Sequence, residues 1–311
     1  MLFYYMIFFL FYLFSFIFSL YMVDWFMIWI SLEINMFSFI LLFFINKNKI
    51  LMESMYKYFF IQSIGSSMFL MFMYTGMMNI YIFFVFSLKL GVAPLYFWFP
   101  DVIYGLSWIS GAMLMTFQKL LPLYMMNSFL DWYVYFFGML SLIVGVIGSF
   151  NQINLKLLFS YSSIFHMGIM LICLMIDEIL WKIYMFMYMF MMISFFILCN
   201  YYNYINISYK ESFSMSFMFM IFSLGGIPPS LGFFLKFISL FYLLQLDYLY
   251  IFIIVICSLM MMFIYFNLIF NIFMNSTVIS WNFLLGFNFN YIDFIHIFMG
   301  IVMFMYMMFY I

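Results

Sequence analysis

Between Leu2 and Val23 the sequence runs without a charged residue. The same holds from Tyr58 to Leu88, Trp132 to Leu155, Ile183 to Tyr209 and Tyr248 to Ile292. A membrane span needs about 20 mostly apolar residues, and each of these runs is long enough. Only 6% of the 311 residues are charged and 71% are hydrophobic; a soluble domain carries about 25% and 45–50%. So few charges cannot solvate a globular surface, and lipid must cover the outside. The runs show no two-residue alternation, so the spans are helices rather than strands of a barrel.

Polar and charged breaks divide the chain into about eleven predicted spans: 2–22, 24–45, 57–78, 80–93, 103–127, 132–150, 154–174, 179–200, 212–243, 247–270 and 292–311. All breaks but the last are short, which leaves room for a single membrane domain over 1–311 and for no sizeable soluble one. Nine lysines and no arginine carry too little bias to set orientation by the positive-inside rule. The apolar start without a basic leader fits neither a secretory signal nor a transit peptide, so it reads as a first span.

Composition excludes several function classes. A formal net charge of −1 implies no nucleic-acid or acidic partner. Cys173, Cys199 and Cys257 stand far apart, without metal-ligand or disulfide spacing. Phe, Met, Tyr, Ile, Asn and Lys abound, whereas Ala occurs only at Ala93 and Ala112 and Arg is absent. That bias follows AT-rich codons and points to a mitochondrial gene, with an AT-rich bacterium as the rival source.

Most charges fall in the breaks or at span ends, where they are solvated or snorkel. Five ionisable groups remain inside. Glu33 lies about 14 Å along the second span at 1.5 Å per residue. Lys89 ends the short fourth span, Lys119 lies in the fifth, His166 in the seventh and Lys236 in the ninth. Such a group at mid-membrane costs roughly 2.5–3.5 kcal/mol and marks a pathway or a protein interior. The five prolines point to the same places: Pro94 and Pro100 follow Lys89, Pro122 follows Lys119, and Pro228 and Pro229 precede Lys236. Proline removes a backbone donor, and a freed carbonyl inside a membrane needs protein or water to satisfy it. Two segments, Lys89-Leu-Gly-Val-Ala-Pro94 and Gly225-Gly-Ile-Pro-Pro229, therefore read as interrupted helices. Their placement in two halves of the chain is the signature of an inverted-repeat transporter fold.

Several segments are similar to those of one family. Trp29-Ile-Ser-Leu-Glu33-Ile-Asn35 resembles W-x-x-L-E-x-N, and Lys57-Tyr-Phe-Phe-Ile-Gln62 resembles K-Y-F-x-x-Q. Lys89 to Pro100 resembles K-x-G-x-A-P-x-H-F-W-x-P, and Gln118-Lys119-Leu-Leu-Pro122 resembles the Q-K-x-x-P element. Asn151-Gln152 with Tyr161-Ser-Ser-Ile-Phe-His166-Met-Gly168, and Ser223 to Lys236, complete the series in order. Together they resemble the antiporter-like chain-two family of NADH–ubiquinone oxidoreductase, respiratory complex I. Tyr96 stands where that family usually has His, Lys156 near an Arg position, Leu235 for Pro and Phe237 for Trp.

The resemblance implies a proton-translocating membrane-arm subunit of the mitochondrial inner membrane, in the animal form that lacks three N-terminal helices of bacterial relatives. It assigns proton relay to Glu33, Lys89, Lys119 and Lys236, groups already singled out by depth; His166 is a further candidate from its depth in the seventh span. It also implies that NADH, FMN, iron–sulfur clusters and ubiquinone belong to partner subunits, with no cofactor or metal on this chain. Burial in low dielectric disfavours the charged form of an amine, and a nearby carboxylate opposes that. Moving one charge against 100 mV costs about 2.3 kcal/mol, so redox energy must come from those partners, with membrane lipids the other contact. Two alternatives stand beside this reading: a stand-alone cation/proton antiporter subunit, and a structural membrane scaffold in which the lysines are satisfied packing groups. His296, near a span end, reads as structural.

Overall fold

The structure is a computed structural model that describes residues 2–43, 48–76, 79–202, 215–228, 230–244 and 248–276. The predicted span 292–311, with His296, lies outside the described residues. The chain divides into two compact units, residues 1–137 and 138–311. Among the described residues thirteen helical segments form, because a broken span counts as two or three.

The first unit holds α1 (Leu2–Tyr21), α2 (Trp25–Phe43), α3 (Lys49–Thr75), α4 (Asn79–Leu90), α5 (Trp98–Gly105), α6 (Trp108–Met115), α7 (Phe117–Met126) and the start of α8 (Tyr133–Ser149). Helices α1 and α2 pack together, α2 packs on α3, and α3 on α4 and α5. Helix α3 ends at Gly76, whose φ of 62° lets its N–H bond back to Phe72 and Met73. The predicted span 103–127 is in fact divided. The chain leaves the helix at Leu106 and again at Thr116, where φ is −117° and ψ −81°. Ser107 restarts it as the N-cap of α6, accepting from Ser110 N–H. Hydropathy alone does not register such breaks, since Leu106 and Thr116 sit among apolar neighbours.

The second unit holds the rest of α8, then α9 (Leu155–Ile176), α10 (Glu178–Tyr202), α11 (Met215–Gly225), α12 (Leu231–Leu243) and α13 (Tyr248–Ser276). Helix α9 is its core, with nearly every residue from Leu158 to Leu174 buried. Glycines let α8 and α9 approach closely: a Cβ on Gly145 would lie 2.7 Å from Phe165 N. Small residues at the contact are how membrane helices gain van der Waals packing where no hydrophobic drive exists. The predicted span 212–243 is interrupted between Gly225 and Leu231, as the prolines and glycines there require.

Among the described residues five helices are long and apolar enough to cross a membrane: Tyr4–Tyr21, Trp25–Phe43, Leu155–Ile176, Glu178–Tyr201 and Tyr250–Asn271. Their outward residues are large and apolar, as with Phe186 at 64% and Phe252 at 66% exposure. Water would punish such a surface, and hydrocarbon does not. Many buried serine hydroxyls are satisfied within their own helices, for example Ser31 to the Ile28 carbonyl and Ser163 to that of Ser160.

Candidate functional site

In the first unit the break after α4 sets the geometry. Lys89 occupies the last helical turn and is 8% exposed. Gly91, at φ 69°, turns the chain, and a Cβ there would lie 2.9 Å from Phe99 Cβ, so the position requires glycine. Three carbonyls that the helix can no longer pair find other donors. Val92 N–H bonds Ser87 O at 3.0 Å. Trp98 Nε1 donates to Leu88 O at 3.0 Å, and Gln62 Nε2 donates to Lys89 O at 3.1 Å. The Lys89 stem lies against α3, where a Cβ on Gly65 would be 3.3 Å from its Cε.

Lys119 lies in the first turn of α7 and is 2% exposed. Its Nζ sits 4.5 Å from the Phe99 ring centroid, a cation–π distance. Among the described residues that Nζ has no hydrogen-bond partner. Pro122, one turn on, cannot donate to the Gln118 carbonyl, which loses its place in the helix ladder.

Lys89 and Lys119 share the wall of one cavity of about 20 Å³. Its polar lining adds Asn35 from α2, Tyr58 and Gln62 from α3, and Gln118 from α7. A polar space needs roughly 10–15 Å³ to hold a water molecule, so the volume suffices for one. Gln118 Nε2 donates to Asn35 Oδ1 at 3.0 Å, which joins α7 to α2. Glu33 stands half-buried on α2. No ion pair joins it to Lys89.

In the second unit Lys236, on α12, reaches back across the break. Its Nζ donates to Gly225 O at 2.8 Å, the carbonyl at the end of α11. Gly226, at φ 77°, turns away there, and its N–H bonds Phe222 O at 3.1 Å. The same Nζ lies 5.9 Å from the Phe165 ring centroid. The next residue, His166, is 1% exposed and shares a 2.7 Å hydrogen bond with Tyr184 Oη through Nδ1. Tyr188 packs 5.2 Å from its ring.

The predicted groups thus fall into two sets. Lys89 and Lys119 meet at one cavity with Glu33 beside it, and Lys236 stands near Phe165-His166. Amines, an imidazole and a carboxylate can each take up and release a proton, and the amides and phenol between them can carry hydrogen bonds. Sequence reasoning assigned no part to Asn35, Gln62, Tyr58 or Gln118. All four lie in or beside the quoted motifs, which was the signal available.

The family described as NADH:quinone oxidoreductase/Mrp antiporter, TM, matches residues 72–262. The chain is 37% identical over 293 residues to NADH-ubiquinone oxidoreductase chain 2 of Anopheles gambiae, covering 86% of this chain and 85% of that one. It is 34% identical to the same protein of Aedes aegypti, covering 83% of each. Among solved structures, it superposes on a chain of respiratory complex I from Thermus thermophilus with TM-score 0.74 and 17% identity. That match covers 89% of this chain and 73% of the other. A chain of an archaeal membrane-bound sulfane sulfur reductase, described as a respiratory membrane complex, matches with TM-score 0.79 and 19% identity. It covers 95% and 72%. These distant likenesses support the fold.

Proposed function

Because the chain belongs to the NADH:quinone oxidoreductase/Mrp antiporter transmembrane family, we propose that it is the chain-two, proton-translocating subunit of respiratory complex I. It works in the membrane arm of that complex, in contact with its other membrane-arm subunits. On this reading it is a multi-pass protein of the mitochondrial inner membrane. It is one translocating domain over 1–311 with about eleven spans, and the interruptions after Lys89 and after Gly225 belong to an inverted-repeat arrangement. NADH, FMN, iron–sulfur clusters and ubiquinone sit in partner subunits, which supply the driving energy.

Within the chain, Glu33, Lys89, Lys119 and Lys236 exchange protons in turn, with His166 as a further relay group. One observation carries this reading. Two lysines from different broken helices face a single polar cavity large enough for water, and one of them, Lys119, has an ammonium with no hydrogen-bond partner among the described residues. A lysine kept only for packing would be matched to an acceptor, since burying an unpaired charge is costly. When Glu33 approaches Lys89, their pairing holds the lysine charged, and separating them releases its proton.

The test is Lys119→Met in the complete complex. The expected result is normal assembly with loss of proton pumping coupled to NADH oxidation. Normal pumping by an assembled Lys119→Met complex would overturn the relay and favour a scaffold.

A further inference from the structure

Helix α7 has little of its own to hold Lys119 at the cavity. It starts directly after the break at Thr116, whose side chain bonds back to Ala112 O at 2.6 Å and gives α7 no cap. Pro122 removes one rung of its short ladder. The Lys119 ammonium has no hydrogen-bond partner among the described residues, and its contact with the Phe99 ring is weakly directional. The residue before it, however, is anchored. Gln118 Nε2 donates to Asn35 Oδ1 at 3.0 Å, and both side chains line the cavity. Asn35 is 3% exposed and lies two residues beyond Glu33 on α2. An amide pair suits this place, because it holds two helices together and cannot itself take up the proton.

We propose that Asn35 and Gln118 are positioning residues for proton transfer: their amide–amide bond sets Lys119 against the cavity and ties its place to the helix that carries Glu33. The proposal rests on the relay reading of Lys119. A displacement of about 1 Å in such a group can cost on the order of a hundredfold in a transfer step, so losing the bond lowers pumping even where the helices stay packed.

The test uses Asn35→Leu, Gln118→Met, the double variant, and the exchanged pair Asn35→Gln with Gln118→Asn. Each is made in the complete complex and read as protons moved per NADH oxidised, alongside the amount of assembled complex. Lys119→Met is run in parallel. Each single variant is expected to fall to the level of Lys119→Met while assembly persists, and the double to fall no further. The exchanged pair, which restores an amide–amide bond, is expected to recover most of the loss. If a single variant fails to assemble, the exchanged pair decides: assembly with pumping supports the proposal, and assembly without pumping overturns it. Normal pumping in the single variants beside a failed Lys119→Met overturns the positioning role alone. Normal pumping in Lys119→Met itself overturns the relay on which it rests.

Discussion

The Lys236 ammonium donates to the Gly225 carbonyl at 2.8 Å, so an amine on α12 closes the end of α11 that the break left open. The arrangement satisfies a backbone acceptor that would otherwise lie unpaired inside the membrane. It also fixes a titratable group at the point where the helix is interrupted. Releasing the proton at Lys236 would weaken the bond, so protonation and the closure of the break are linked.

Gly226→Ala tests that link. The residue sits at φ 77°, where a side chain costs about 1–2 kcal/mol. Its new Cβ would lie 3.0 Å from Lys236 Cδ and 3.1 Å from Nζ. The expected outcome is an assembled complex of lowered heat stability with reduced pumping per NADH oxidised. Unchanged pumping would show that the Lys236 position at the break is immaterial.

Glu33→Gln removes a charge and keeps the shape. No ion pair joins the carboxylate to Lys89, so no salt bridge is broken and the fold is expected to persist. Coupling is expected to weaken, because the relay then lacks the carboxylate with which Lys89 would pair. A proton-to-electron ratio equal to that of the unaltered complex would count against the pair.

Gln62→Met leaves the Lys89 carbonyl without its 3.1 Å donor. An unsatisfied buried acceptor costs about 1–3 kcal/mol. The complex is expected to inactivate at a lower temperature, with the loss confined to stability if Lys89 itself stays in place. Heat inactivation followed by NADH oxidation measures it, and an unshifted midpoint would mean that the carbonyl has another donor.

Gly145→Ala probes the packing of α8 against α9 at Phe165, the residue before His166. The added methyl would meet Phe165 N and Cβ at 2.7 Å, where backbone must yield. Overpacking of this kind costs about 1–3 kcal/mol. Reduced assembly is expected, read as the amount of intact complex in the membrane. Full assembly would show that α8 can move aside.

The uncharged runs were enough to establish an all-α membrane chain, because hydropathy and length are properties of consecutive residues. Lys89, Lys119, Lys236, Glu33 and His166 stood out for the same reason, as charges where the local pattern forbids them. The glycine-proline breaks after Lys89 and before Lys236 were legible too, since those residues act on their own backbone. Tertiary structure alone decided what meets what. That Gln62 serves the carbonyl of Lys89, and Gln118 the amide of Asn35, depends on helices 27 and 83 residues apart in sequence. The breaks at Leu106 and Thr116 likewise appear only when helices pack around them. A freed carbonyl or amide states that it needs a partner, but which one it finds is set by the packing of distant helices, and no local pattern encodes that choice.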